Sequence, residues 1–397
     1  MRTVEEHARV IAGLLAPTGP ESLPLAEAVG LVLASDLVAT IDLPPFANSA
    51  MDGYAVRAVD VSELPATLPV SQDIPAGRTD TQPLAPGTAA RIMTGAPLPP
   101  GAEVIVQVER TDGGESVVRI DSAPPPGVHM RTRGEDVTAG TVVLAAGTVV
   151  GPTQVGVAAA LGFAELVVRR PMRVLVLSTG SELVAPGQPL GPGQIYESNA
   201  PMLAAAMASV GARVTIEHFV TDDVDRLRAA LETAATAATG IDLIVTSGGV
   251  SAGAYEVVKD ALTDQGVQFA KVAMQPGMPQ GAGRFRGVPV VTLPGNPVSS
   301  YVSFEVFLRP AIRAAMGHPD VIRPMVRAPL SAALNSPAGK RQFRRGQLDA
   351  VAGTVAAWGG PGSHLLSWLA GADCMIVVGE DVTHLEAGQE VEVWLLT

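Results

Sequence analysis

Three short stretches place small and hydroxyl side chains where an apolar run gives way to a helical pattern. They are Ser178, Thr179, Gly180 and Glu182 in "LSTGSEL"; Ser247, Gly248, Gly249, Ser251 and Gly253 in "TSGGVSAG"; and Pro294, Gly295, Asn296, Pro297 and Ser299 in "LPGNPVSS". Such stretches offer backbone N–H groups without bulky side chains, beside the positive end of a helix dipole, which is the chemistry of a phosphate or carboxylate site. None is the dinucleotide fingerprint, and none carries the lysine of a P-loop. A tight strand-to-helix turn accounts for any one of them alone. Three at equivalent strand ends point to a single pocket.

Acids gather at the same edge. Glu182, Asp222, Asp223 and Glu256 each follow an expected strand end. Carboxylates around a phosphate imply a divalent cation between them, since Mg²⁺ takes oxygen ligands and bridges phosphates. Helix capping is the equal alternative for Asp222 and Asp223, and a solvated loop acid is the alternative for Glu182 and Glu256. A second constellation is "DLPPFANSAMDGYAV", in which a proline-stiffened loop explains the prolines but not the Asn, Ser, Asp52 and Tyr together. "RIMTGAPLPPGAEVIV" puts Thr94 in a turn between strands, and "GKRQFRRG" clusters Arg341, Arg344 and Arg345, which suit an oxyanion or a solvated strand face.

These residues need a scaffold, and the 397-residue chain is long enough for several cores. With 47% hydrophobic and 17% charged residues it reads as globular. The net charge of -12 argues against broad nucleic-acid binding, while leaving room for a small anion held locally. One cysteine, Cys374, excludes an internal disulfide and fits a reducing cytoplasm; six scattered histidines disfavour a zinc site. No apolar run reaches membrane-spanning length, and "MRTVEEHARVIAGLLAP" is an amphipathic helix with Val4, Val10, Ile11 and Leu14 at helical spacing.

The pattern changes along the chain. Residues 21–140 are short β-like runs broken by Pro and Gly, and 141–171 mix strand and helix in a way that could pack back on residues 1–20 to form a segmented N-terminal α+β domain. Residues 172–318 alternate strands ("MRVLVLSTG", "ARVTIEHFV", "IDLIVTSGG", "VQFAKVAM", "VPVVTLPGN") with helices, an α/β domain with a doubly wound, mainly parallel sheet. Its ligand edge is the carboxyl end of the strands, where the three glycine-bearing loops fall. Pro310 should kink or restart the last helix. Residues 319–397 return to short strands, a small C-terminal β-barrel.

Together these segments resemble the molybdopterin molybdenumtransferase family, the MoeA and gephyrin E-domain type. The likeness is carried in order by "PPFANSAMDGYAV", "ARIMTGAPLP", "RTRGEDVTAGTVVLAAGT", "VLSTGSELV", "IYESNAPML", "VTSGGVSAGAYEVVKDAL", "QPGMPQGAGRF" and "TLPGNPVSSYVSFEVFLRPAI", then by "GKRQFRRG" and "GSHLLSWLAGAD". It implies a multidomain homodimer in the cytoplasm, with the active site between subunits, that inserts molybdate into adenylylated molybdopterin and releases AMP with Mg²⁺.

Residue by residue, the resemblance places Asp52, Thr94, Asp136, Glu182, Asp222 or Asp223, and Glu256 in the catalytic set, with Asp52, Glu182 and Glu256 toward the metal. Arg345, Ser363 or Ser367, and Lys271 would meet molybdate, and the glycine-bearing loops would hold the pterin phosphate. Two departures stand out. Glu256 replaces the family's aspartate, with Tyr255 before it, and Gln275 and Met278 replace both lysines of "KPGKP", so that Arg284, Lys271 and the C-terminal arginines must compensate or activity is altered. The alternatives are a molybdopterin adenylyltransferase and a non-catalytic molybdopterin-binding scaffold.

Overall fold

The computed structural model describes residues 1–219, 223–236, 240–248 and 257–396, with His218 and Phe219 described through their backbone alone. They form two compact units, Leu23–Val29 with Ser35–Leu166, and Met1–Ser22 with Gly30–Ala34 and Val167–Thr397. Helix α1 (Val4–Leu14) opens on a reciprocal cap: Thr3 Oγ1 accepts the Glu6 N–H at 3.1 Å and the Glu6 carboxylate accepts the Thr3 N–H at 2.8 Å. Its buried face is Val4, His7 and Ile11, and His7 meets Phe307 edge-on at 4.9 Å. The helix thus belongs to the larger unit, whereas residues 141–166 lie in the smaller one.

The smaller unit is built on a sheet of β1 (Gly53–Val56), β2 (Ala66–Ile74), β3 (Ala89–Ile92), β4 (Val104–Gln107) and β5 (Val117–Ile120), in spatial order β4-β1-β3-β2-β5. Strand β1 is buried on both faces: Tyr54 and Val56 pack with Val104, Val106 and Ile120, and Ala55 with Ile74, Ile92 and Ile105. Gly53 is required there, because a Cβ would stand 1.9 Å from the Val106 carbonyl oxygen. Gly53 pairs with Ile92, so the residue before β1 faces those after β3.

In the larger unit β6 (Arg173–Thr179), β7 (Arg213–Phe219), β8 (Leu243–Ser247), β9 (Val267–Lys271), β11 (Pro279–Phe285) and β12 (Val288–Leu293) lie in the order β7-β6-β8-β12-β11-β9. The first four in that order are parallel and β11 runs against β12 and β9. Helix α2 (Asn199–Ala208) covers one face, and α3 (Val224–Thr236) and α4 (Val257–Leu262) cover the other over Leu175, Leu177, Ile244 and Val290. Strand β11 was not expected. Gly281 and Gly283 hide it, since glycine weakens a strand pattern, yet both are needed: a Cβ at 281 would lie 2.3 Å from Thr292 Oγ1 and one at 283 would lie 2.1 Å from the Gly266 oxygen.

After β12 the chain enters α5 (Pro297–Ser303), passes through one π-helical stretch at Phe304–Leu308, and restarts as α6 (Arg309–Ala315) with Pro310 in its first turn. The C-terminal sheet comprises β13 (Met325–Pro329), β14 (Arg341–Asp349), β15 (Thr354–Ala357), β16 (Cys374–Val378) and β17 (Glu390–Leu395). The order β14-β16-β17-β13 closes on itself because β15 pairs with β14 and Leu330 bridges Val355. A short strand from the α/β part, β10 (Met274–Gln275), joins this sheet beside β14, placing Gln275 opposite Gln342.

Candidate functional site

The loops after β6 and β12 meet Gly248, which follows β8, at the carboxyl edge of the sheet. Gly248 has φ +96°, and a Cβ on it would stand 3.1 Å from the Thr179 oxygen; a Cβ on Gly295 would touch Gly248 Cα at 3.4 Å. Glycine at 248 is therefore favoured by its left-handed backbone and by the close approach of Thr179, whereas a Cβ at 295 would make only van der Waals contact. Asn199, the first residue of α2, ties the junction together: its Nδ2 donates to Ser247 Oγ at 2.9 Å and to the Gly295 oxygen at 2.6 Å. Behind it Ser247 Oγ lies 3.3 Å from Ser300 Oγ, and Ser300 donates to the Pro294 oxygen.

Glu197 is 3% exposed, and its carboxylate accepts from Ser178 Oγ and, at 2.8 Å, from the Ala200 N–H at the start of α2. It thus fixes the end of β6 against α2. Glu182 stands in the adjacent turn with its carboxylate over Gly180, where a Cβ would come within 2.6 Å of Oε2.

Above these loops lie two cavities. One, of about 750 Å³, is lined by Ser178, Thr179, Gly180, Glu182, Glu197, Asn199, Ser247, Gly248, Asn296 and His364 among others. The other, of about 430 Å³, has Gln275, Pro276, Gly277, Pro294, Asn296 and Ser299 on one side and Pro361, Gly362 and Ser363 on the other. The segment 359–366 brings Ser363 and His364 there, and it is held from below. Arg345, 5% exposed, donates to the carbonyls of Gly360, Gly362 (3.1 Å) and Leu365 (3.5 Å), while Arg344 donates to Gly359 at 3.1 Å. Burial, and for Arg345 the neighbouring Arg344, lower both guanidinium pKa values, and guanidinium remains a cation. The Val298 N–H donates to the Ser363 oxygen at 3.1 Å, pinning the segment to α5.

In the smaller unit Asp52 and Thr94 form a pair across the β1–β3 register. Asp52 Oδ1 accepts the Thr94 N–H at 2.6 Å and the Thr94 hydroxyl at 2.8 Å. These two bonds, the backbone one first, hold the Asp52 carboxyl below its ordinary range. Both residues are exposed.

Residues 2–162 match the MoeA N-terminal region (domain I and II), residues 175–314 the probable molybdopterin binding domain, and residues 327–396 the MoeA C-terminal region (domain IV). The chain is 57% identical to molybdopterin molybdenumtransferase 2 of Mycobacterium tuberculosis over the whole of both sequences. It is 34% identical to molybdopterin molybdenumtransferase of Haemophilus influenzae over 99% of this chain and 98% of that one. A crystal structure titled as the molybdopterin biosynthesis MoeA protein from Pyrococcus horikosii superposes with a TM-score of 0.79 at 30% identity, covering 100% of this chain and 99% of that one.

The chain belongs to the molybdopterin molybdenumtransferase family. Within this member, Ser178, Thr179, Gly180, Glu182, Ser247, Gly248, Gly295, Asn296 and Pro297 line the larger cavity, and Pro294, Ser299 and Ser363 the smaller. Asp222, Gly249, Ser251, Gly253 and Glu256 lie outside the described residues. Asp223 caps α3, its Oδ1 accepting the N–H groups of Asp225 at 3.0 Å and Arg226 at 3.1 Å. Asp136 is exposed in the smaller unit, its N–H bonded to the Leu43 oxygen at 2.9 Å.

The expected cations do not reach the cavities. Lys271 ends β9 at the sheet edge, and Arg284 spends its guanidinium on the oxygens of Gly287 and Leu14. Arg345 supports the 359–366 segment through carbonyls, and Ser367 sits exposed on the short helix Leu366–Ala370. Among the described lining residues there is no lysine or arginine, and His364 is the one basic side chain. No group of three or more His, Cys, Asp or Glu able to hold an ion occurs among the described residues, and one Asp52 oxygen is already taken by Thr94.

Glu197 and Asn199 were missed from the sequence. Ser198, at the cap position, makes no side-chain cap bond, and the acid two residues before α2 supplies it. An acid, a serine and an asparagine in a row before an apolar helix are more than a cap needs, and that surplus was the available signal.

Proposed function

We propose that this chain is a molybdopterin molybdenumtransferase: the two dithiolene sulfurs of adenylylated molybdopterin replace one oxide of molybdate, which leaves as water, and an oxygen from water adds to the phosphoanhydride phosphorus as the P–O bond breaks and AMP leaves. The observation that carries the reading is the meeting of the loops after β6 and β12 with Gly248 under an arginine-held segment, in a chain 57% identical over its full length to a relative of that name. The pterin phosphate would lie on the N–H groups around Gly248 and Gly295, and Ser299, Ser363 and Asn296 would offer hydrogen bonds to the oxyanion. Positioning and hydrogen bonding supply the catalysis, as at other phosphoryl centres.

A homodimer in the cytoplasm, requiring Mg²⁺, is part of the same proposal and rests on the family resemblance. In that dimer Asp52, ionised and fixed by Thr94, is the acid offered to the substrate. The test is AMP release by the purified full chain from adenylylated molybdopterin. Release that rises with molybdate is expected, whereas release indifferent to molybdate, or consumption of ATP with molybdopterin instead, would remove the assignment.

A further inference from the structure

Beside the larger cavity lies a third hollow, of about 360 Å³, walled by Pro186, Gly187, Tyr196 and Pro201 and sharing Tyr196, Glu197 and Ser198 with the larger one. Tyr196 is 47% exposed, a large fraction for an aromatic that lines two concavities. It is not loosely held. Tyr196 pairs with Val184, and the residues before and after it are bonded through the Ile195 N–H to the Glu182 oxygen and the Glu197 N–H to the Val184 oxygen, both at 2.9 Å. The buried Glu197 carboxylate then locks the strand to Ser178 and α2. The Tyr196 backbone is thus fixed, and its ring stands at a boundary: serines and glycine-bearing loops on one side, two prolines on the other.

We propose that this slot takes a flat, fused nitrogen heteroaromatic ring, stacked on Tyr196, from a ligand whose phosphate lies on the glycine-bearing loops. The physical division is simple. Prolines and an aromatic face offer dispersion and stacking without hydrogen-bond demands, while the polar cavity satisfies the anionic part. Tyr196 is then a positioning residue for the ring, and Ser198, whose hydroxyl makes no cap bond, borders its edge where ring N–H groups would seek an acceptor. For the identity of the ligand the inference rests on the function proposed above, under which the ring is either the pteridine or the purine of the adenylate.

The experiment titrates the full chain by calorimetry with AMP, with 6-hydroxymethylpterin and with ribose 5-phosphate, which has a phosphate and no ring. Tyr196→Ala and Tyr196→Leu should weaken at least one ring ligand about tenfold, the scale of stacking one base on one aromatic side chain, while Tyr196→Phe stays within about twofold. Ribose 5-phosphate should be unchanged in all three. Leucine keeps the apolar bulk, so a loss seen only in the alanine variant reports packing and overturns the stacking claim. A loss confined to AMP assigns the purine; one confined to the pterin assigns the pteridine. Failure of both rings to bind the wild-type chain, unaltered affinity in the leucine variant, or a parallel loss for ribose 5-phosphate would overturn the proposal. None of these arms needs turnover, so absence of molybdate-dependent AMP release would remove the function and leave the slot to stand or fall by itself.

Discussion

Asp52 shows how one residue's chemistry can be set by two short bonds. Because the Thr94 N–H and hydroxyl both donate to Oδ1, the ionised form is favoured, and the folded-state pKa lies below that of the unfolded chain. The sign follows: the charge and its small stabilising effect are present above the ordinary carboxylate range and are lost as pH falls through the lowered folded value. Thr94→Val keeps the backbone donor and removes the hydroxyl. The Asp52 pKa should rise part of the way toward its ordinary value, measured by carboxyl NMR titration; an unmoved pKa would show that the hydroxyl contributes nothing. Asp52→Asn should slow AMP release about a hundredfold, the usual scale for a positioned electrostatic group, with folding intact. Wild-type rates in that variant would detach Asp52 from the reaction. Asp52 and Thr94 were legible because polar residues had no structural excuse in their loops. Glu197 was not, because a buried acid before a helix reads like any cap.

At the scale of elements, what the sequence hides is partnership. The α1 pattern of Val4 and Ile11 announces a helix with one buried face, but a short apolar stripe fits many surfaces, and nothing in it names Phe307. Strand β11 was hidden for the opposite reason: its glycines look like loop, and only the close approach of Thr292 and Gly266 explains them.

His7 on α1 is fully buried with neither ring nitrogen bonded to a described group, and burial first, then Arg2, pushes its pKa from 6.5 down to about 4. Between those values the unfolded chain binds the proton and the folded one does not. Its contribution is therefore intact above pH 6.5 and lost as pH falls toward 4. His7→Leu should flatten the stability loss over that window in urea unfolding and add about 1 kcal/mol at neutral pH, by relieving an unmatched polar ring. A wild-type acid limb in the variant would place the loss elsewhere. Arg345→Lys tests a second element: one ammonium cannot span the three carbonyls that the guanidinium holds. Amide exchange over 359–366 should quicken, with about 2 kcal/mol lost, while β14 stays protected. Unchanged exchange there would mean the arginine is not what fixes the segment.

At the scale of the whole chain, the order of motifs read correctly as a β-rich stretch, an α/β sheet and a second set of strands, because periodicity and turn residues are local. How the larger unit is fastened internally was not legible, because it depends on residues far apart in sequence. Strand β10 leaves the α/β part to pair with β14, and Arg341 of β14 meets both Glu5 at 2.5 Å and Glu380 at 2.9 Å. Arg323, on the connection between α6 and β13, gives the strongest test. Its Nε and Nη2 grip both oxygens of Glu305 at 2.9 Å, and Glu305, in the π-helical stretch, has a fully buried side chain whose next cation, Arg309, is 3.8 Å away. Removing one partner of such a pair strands a charge, whereas replacing both does not. Arg323→Met should therefore cost about 3–5 kcal/mol in the urea transition of this unit, which Trp358, Trp368 and Trp394 report by fluorescence. Adding Glu305→Gln to that variant should recover a large part of the loss, since the stranded carboxylate is gone. Equal losses in the single and double variants would show that packing around Arg323, and not its charge, joins the connection to the helix.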